Sequence, residues 1–153
     1  MVSDLSEFDP FRMVDIGGKE ATPRMAEAYG KIFLKGATLN AIKQGTIEKG
    51  DPLSVAEVAC IQAVKRTPYL LPMCHNIPIE SVYAEFNISE ECIEVCCRVT
   101  TESKTGVEME ALTGVSVALL NLWDMVKYLE KDEMGQYPDI RIDDIRVLRK
   151  EKK

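Results

Sequence analysis

The sequence predicts an α+β fold, with helices packed on one face of an antiparallel sheet, from three observations: a paired apolar/polar alternation, a long helical periodicity, and no strict strand-helix-strand rhythm. Val82, Ala84, Phe86 and Ile88 alternate with Ser81, Tyr83, Glu85 and Asn87; after Ser89-Glu90-Glu91 the alternation resumes at Ile93, Val95, Cys97 and Val99. That pattern is a hairpin with one buried face. From Ala111 the spacing changes to threes and fours through Val115, Leu119, Leu122, Val126 and Leu129, which marks the longest helix of the chain.

The remaining elements follow in order. Residues 1–20 mix Asp, Gly, Pro and Ser with few periodic apolar positions, and read as a flexible N-terminal arm ahead of a single domain over residues 21–153. Thr22-Pro23 would suit a helix start, but Tyr29, Ile32 and Phe33 around Gly30 favour a strand over residues 26–34. Thr38 is placed to cap a short helix from Leu39 to Gln44, which Gly45 closes. Asp51-Pro52 supplies a cap and a first-turn proline to a second helix through Val55, Val58, Ala59, Ile61 and Ala63, which delivers Lys65-Arg66 before Pro68 stops it. Beyond Thr105-Gly106 and the long helix, Ile140, Ile142, Ile145 and Val147 predict a final strand running into a basic tail. A sheet covered on one face often finds its second cover in another subunit, so an oligomer is expected.

Composition narrows the function. A formal net charge of -6 and a pI near 4.9 exclude a general nucleic-acid binder, although a local cationic cluster for one phosphorylated small molecule remains compatible with an acidic surface. No apolar run reaches the roughly 18 residues of a membrane span, and the N-terminus lacks the basic and apolar regions of an export signal. A soluble, cytoplasmic protein is expected. The five cysteines lie mostly in apolar, regular segments without a Cys-x-x-Cys pair, and a single histidine leaves structural zinc without a usual ligand set. Neither metal nor cofactor is expected.

Four groups of residues could carry chemistry. Asp124, Lys127 and Lys131 share a helix face away from the apolar stripe. By spacing alone that is an ordinary surface ion pair worth about half a kcal/mol; the sharper reading is an acid-base pair with a lysine lowered toward neutral pH. Glu108-Met109-Glu110 gathers carboxylates at the positive end of the long helix, where they can simply complement the dipole or accept paired N–H donors from a guanine- or pterin-like ring edge. Leu71-Pro72-Met73-Cys74-His75-Asn76 invites a cysteine-histidine dyad, which an extended, proline-framed segment opposes because adjacent side chains diverge. The cations Arg24, Lys49, Lys65, Arg66, Lys127 and Arg149-Lys150 are scattered and none sits in a Gly-rich loop, so a phosphate site must be assembled from side chains.

Taken together, Met13-Val14-Asp15-Ile16, Lys49-Gly50-Asp51, Ala63-Val64-Lys65-Arg66-Thr67, Leu71-Pro72-Met73-Cys74-His75, the run from Lys104 to Thr113 (Lys-Thr-Gly-Val-Glu-Met-Glu-Ala-Leu-Thr) and Asp124-Met125-Val126-Lys127 fall in the order and spacing of a known family. The chain resembles, from about residue 13 to its C-terminus, the molybdenum cofactor biosynthesis protein C family of cyclic pyranopterin monophosphate synthases. The resemblance implies a ferredoxin-like fold and a metal-independent lyase. Its substrate would be 3′,8-cyclo-7,8-dihydroguanosine 5′-triphosphate, converted to cyclic pyranopterin monophosphate with release of diphosphate. It also implies a homohexamer, a trimer of dimers with active sites at subunit interfaces.

Carried over by position, the resemblance implies catalytic roles for Asp124, Lys127, Lys49 and Lys65. Substrate contacts are implied for Met73, Cys74, His75, Glu108, Met109 and Glu110, with Arg66, Asp15 and Arg24 at further pocket positions. Lys49, Lys65 and Arg66 are expected on the phosphates. The chain departs from the family in lacking its Gly-Gly-Lys-Ser-Gly tail, where Lys150 fits by order and Lys152 is the alternative; in carrying His75-Asn76 for His-Pro; and in a longer stretch from Met134 to Asp144, to which no role is assigned. Two rivals stand beside this reading: a magnesium-dependent hydrolase built on Glu108, Glu110 and Asp124, and a non-catalytic scaffold or pterin-binding module.

Overall fold

The computed structural model describes residues 11–153. Its elements run β1 (Thr22–Phe33), α1 (Gly36–Gln44), α2 (Pro52–Lys65), α3 (Thr67–Leu70), β2 (Ser81–Ile88), β3 (Cys92–Ser103), α4 (Glu108–Glu130) and β4 (Arg141–Lys152). The four strands form one sheet in the order β2-β3-β1-β4, with every neighbouring pair antiparallel. The edge β2 and the central β1 therefore run the same way with β3 between them, which is the ferredoxin-like arrangement. The part of the N-terminal arm over residues 1–10 lies outside the described residues.

Alternation decides which face is covered. Ala26, Ala28, Gly30 and Ile32 of β1 and Ile93, Val95, Cys97 and Val99 of β3 are buried under the helices, while Glu27, Tyr29, Glu94 and Arg98 point to the other side. α4 lies over this inner face with Ala111, Val115, Ala118, Leu119, Leu122 and Val126 buried. The approach is close because two positions lack a side chain. A Cβ at Gly30 would stand 2.7 Å from Leu119 Cδ1, and one at Gly114 would stand 2.9 Å from Val64 Cγ2 and 3.0 Å from Cys60 Sγ, so α4 settles between the sheet and α2. α4 is the one helix among the described residues long and apolar enough to cross a membrane, and its apolar face is spent on this core.

Local signals held in part. Asp51 caps α2, its carboxylate accepting from Leu53 N at 3.1 Å, and Gly45 ends α1 in the left-handed region at φ 71°. Thr38, expected as the α1 cap, instead lies inside a helix that begins at Gly36, and its hydroxyl donates to Glu130. Glu130, fully buried at the end of α4, also accepts from Lys35 N at 3.2 Å, so a carboxylate from 95 residues away caps α1. Pro68 does not end helical structure: α2 stops at Lys65 and the proline sits in the first turn of the short α3, where its missing N–H costs nothing. The segment after it is not extended either, since Cys74 N donates to Leu71 O at 3.0 Å and closes a turn. α4 starts at Glu108, one turn earlier than the apolar periodicity suggests.

Candidate active site

The expected site residues fall into two groups at opposite ends of α4. At its C-terminal end Asp124 receives two lysines. Lys127, one turn along the same helix, stands 2.9 Å from Oδ1. Lys49, from the loop before α2, donates to Oδ2 at 3.2 Å and to the Asp124 carbonyl at 3.1 Å. That loop is fixed by Tyr128, whose hydroxyl accepts from Glu48 N at 2.9 Å. The trio is solvent-accessible, and Asp124 and Lys127 border a cavity of about 360 Å³ shared with Leu120, Trp123, Tyr137 and Ile142.

The electrostatics of this trio correct one expectation. The hydrogen bonds and charges of Lys127 and Lys49 hold the Asp124 carboxyl below the usual aspartate range. The bond to Asp124 and its negative charge, with a smaller contribution from Tyr137, push the Lys127 ammonium above the ordinary lysine value rather than toward neutrality. In this geometry Lys127 is a held proton donor. Asp124 is an ionised acceptor shared by two cations.

At the N-terminal end of α4, a cavity of about 350 Å³ is bordered by Met73, Cys74, His75, Glu108, Met109 and Glu110. Residues 11–20 run past it without regular secondary structure: Val14, Ile16 and Lys19 line it, the His75 ring Nε2 donates to Val14 O at 2.6 Å, and Lys104 Nζ donates to Gly17 O at 3.2 Å. Asp15 does not line this cavity and accepts from Gly17 N at 2.8 Å. Lys150, brought in by the last strand, pairs with Glu108 at 3.0 Å, and Arg24 donates to the Lys104 carbonyl at 3.5 Å. Lys152 pairs with Arg24 across the β1–β4 ladder and does not line this cavity. Lys65 joins a second cleft of about 160 Å³, on whose wall Glu110 also lies, whereas Arg66 caps the end of α2 and reaches neither.

Environment separates the two glutamates. Burial opposes the Glu108 charge, but backbone N–H donation at the helix start, Lys150 and Arg24 outweigh it and hold this carboxyl below the usual range. Glu110 is buried more deeply, and burial, reinforced by the neighbouring Glu108 charge, lifts it. Neighbouring carboxyls driven in opposite directions are a pattern of acid-base sites. Cys74 is raised by burial and by the Glu110 charge, so it stays a thiol, and no cysteine nucleophile is prepared here.

Glu108 and Asp124 are 16 residues apart on one helix, about 24 Å along its axis at about 1.5 Å per residue. One protomer therefore does not bring Glu108 and Glu110 together with Asp124, which removes the three-carboxylate magnesium site as an arrangement within one chain. Among the described residues no group of three or more His, Cys, Asp or Glu side chains is placed to hold an ion. The sequence pattern had missed Trp123, Tyr128 and Tyr137, because aromatic residues at helical spacing or in a loop resemble ordinary core.

Comparison with known proteins accounts for the pattern. The MoaC family matches residues 13–153. A probable cyclic pyranopterin monophosphate synthase of Pyrococcus horikoshii is 54% identical over 154 residues, covering 99% of this chain and 97% of the relative. One of Methanosarcina mazei is 54% identical over 139 residues, covering 91% and 88%. A Methanothermobacter thermautotrophicus relative, named a probable cyclic pyranopterin monophosphate synthase accessory protein, is 51% identical over 141 residues, covering 92% and 89%. With a match that takes in both ends of α4 and the strands that position them, the chain belongs to the MoaC family.

Proposed function

We propose that this chain is an enzyme of molybdenum cofactor biosynthesis that makes cyclic pyranopterin monophosphate. Its reaction is the lyase conversion of 3′,8-cyclo-7,8-dihydroguanosine 5′-triphosphate, with loss of diphosphate. The observation that carries the reading is the Asp124 carboxylate gripped by Lys49 and Lys127, in a chain of this family. Ring rearrangement of a guanine-derived skeleton requires several proton transfers. Lys127 supplies a proton from its ammonium and Asp124 accepts one, while Lys49 holds the Asp124 carboxylate ionised until it does. Glu108, kept ionised by Lys150, accepts the paired N–H donors of the ring edge, and the less acidic Glu110 exchanges a proton there. Lys65 and Lys150 stand near enough to these carboxylates to take phosphate oxygens and the charge developing on departing diphosphate.

The 24 Å between the clusters, by the helix rise, supports sites shared between subunits, with Asp124, Lys127 and Lys49 of one facing Glu108, Glu110 and His75 of another. A homohexamer built as a trimer of dimers provides such interfaces, and a metal-independent reaction in the cytoplasm completes the reading. The test is to incubate the purified protein with the cyclic triphosphate in the presence of a strong chelator and follow the products by mass spectrometry. Cyclic pyranopterin monophosphate and diphosphate are expected, and Lys127→Ala should form neither while keeping its fold. The name of the Methanothermobacter relative favours a second reading, an accessory protein, under which the wild type would return its substrate unchanged.

A further inference from the structure

The stretch from Met134 to Asp144 lies outside the motifs that mark the family, yet it sends two side chains, Tyr137 and Ile142, to the cavity beside Asp124 and Lys127. Tyr137 lines the 360 Å³ cavity with Asp124 and Lys127. Its ring meets the half-buried Trp123 edge-on, with centroids 5.5 Å apart and planes at 62°. Leu120 and Ile142 complete an apolar wall on the same cavity. A wall of this kind beside one carboxylate and a lysine fits an amphipathic ligand, flat and apolar on one side and carrying reacting heteroatoms on the other.

The loop is built to deliver Tyr137 rather than to trail past the site. Asp132 Oδ1 accepts from Met134 N and Gln136 N, each at 2.9 Å, and Asp132 N donates to Gln136 O at 2.9 Å. Gly135 adopts φ 76°, a left-handed turn position that suits glycine, and donates to Asp132 O at 3.0 Å. Pro138 follows the tyrosine and Ile140 is then buried in the core, 4% exposed. Tyr137 is thus held between a cross-linked turn and an anchored residue. Its placement is set before any ligand arrives, which lowers the ordering cost of binding.

We propose that Tyr137, backed by Trp123, is a substrate-contacting residue that packs on the flat fused ring of the substrate and holds it against Asp124 and Lys127. This inference rests on the reaction proposed above. It assigns to this chain's own loop a contact that the scattered motifs do not contain, and it divides the labour of the site: cations for the phosphates, aromatic rings for the fused ring.

Two readouts test it. In steady-state turnover of the cyclic triphosphate, Tyr137→Ala should raise KM about tenfold or more, the effect of removing one ring from a stacked base, with kcat changed far less. Tyr137→Phe, which keeps the ring, should stay within about twofold of wild type, in line with binding carried by the ring face rather than the hydroxyl. Trp123 is the only tryptophan of the chain, so its emission reports occupancy without turnover: titrated with GTP as the probe, wild type should quench, Tyr137→Phe should quench, and Tyr137→Ala should quench weakly or not at all. Tyr137→Leu keeps an apolar side chain on the wall and guards against a folding defect. An unchanged KM in Tyr137→Ala, or an equal fall of kcat in Ala, Leu and Phe variants together with a lowered melting temperature, overturns the inference. A wild type that forms no product fails the proposed reaction instead, and the GTP titration then still decides whether Tyr137 faces a ligand.

Discussion

At the residue scale, the site is defined by what neighbours do to proton affinities. Lys127 owes its raised pKa to Asp124, so Asp124→Asn should let the amine fall back toward the ordinary lysine value. NMR titration of the Lys127 side chain in both proteins checks this, and an unmoved titration would mean that the ion pair is not formed in solution. Glu110 presents the opposite case. Its folded pKa lies above the unfolded one, so its contribution to stability is complete below the unfolded value and is lost as pH rises through the folded value. Glu110→Gln, neutral at every pH, should therefore melt higher than wild type near pH 7, with the gap closing as pH falls toward the ordinary glutamate value of about 4.3. Turnover should fall by about 10²-fold or more if Glu110 exchanges a proton with the ring. Calorimetry against pH and a rate assay separate the two effects.

At the scale of elements, α4 does most of the organising. Its N-terminus carries Glu108 and Glu110, its last turns carry Asp124, Lys127 and Tyr128, and its final residue Glu130 caps α1. Its seat depends on Gly114, where an added methyl group would meet Val64 from α2 and the sulfurs of Cys60 and Cys97 at 2.9–3.1 Å. Gly114→Ala should destabilise the protein by about 1–3 kcal/mol, the usual cost of overpacking a close-packed core. The helix preference of alanine recovers at most about 1 kcal/mol of that. Urea unfolding at constant m-value measures the net loss, and a stability equal to wild type would show that α2 shifts freely away from α4.

At the scale of the whole molecule, one sheet face is sheathed by helices and the other is left to polar and aromatic side chains. On the open face Glu27 lies between Arg98 at 2.5 Å and Arg149 at 3.3 Å, and Tyr29 donates to Glu94 at 2.6 Å. The two halves of the candidate site lie at opposite ends of α4, and the proposal that they meet across a subunit boundary is tested by mixing chains. Mixed oligomers reassembled from Lys127→Ala and Glu108→Gln chains, each inactive alone, should regain a fraction of wild-type turnover, because some interfaces then unite an intact half from each. Mixtures that stay inactive, with subunit exchange verified by native mass spectrometry, would place a complete site within one protomer.

The sequence by itself determined most of the local structure. The alternation in Val82–Ile88 and Ile93–Val99 became β2 and β3, the strand read around Gly30 became β1, and Asp51-Pro52 and Gly45 ended helices as their chemistry requires. It also determined the family, since the strings from Met13 to Lys127 lie within the matched region. These signals are short-range: pleat, helix period and capping depend on residues a few positions apart. Tertiary structure alone decided which distant groups meet. Lys49 reaches Asp124 from 75 residues away, Glu130 replaces Thr38 as the partner at the start of α1, and Tyr137 arrives beside Lys127 from a loop with no motif. It also reversed the expected direction for Lys127, because a proton affinity is set by the charge beside a group, and that neighbour is fixed only when the chain is folded.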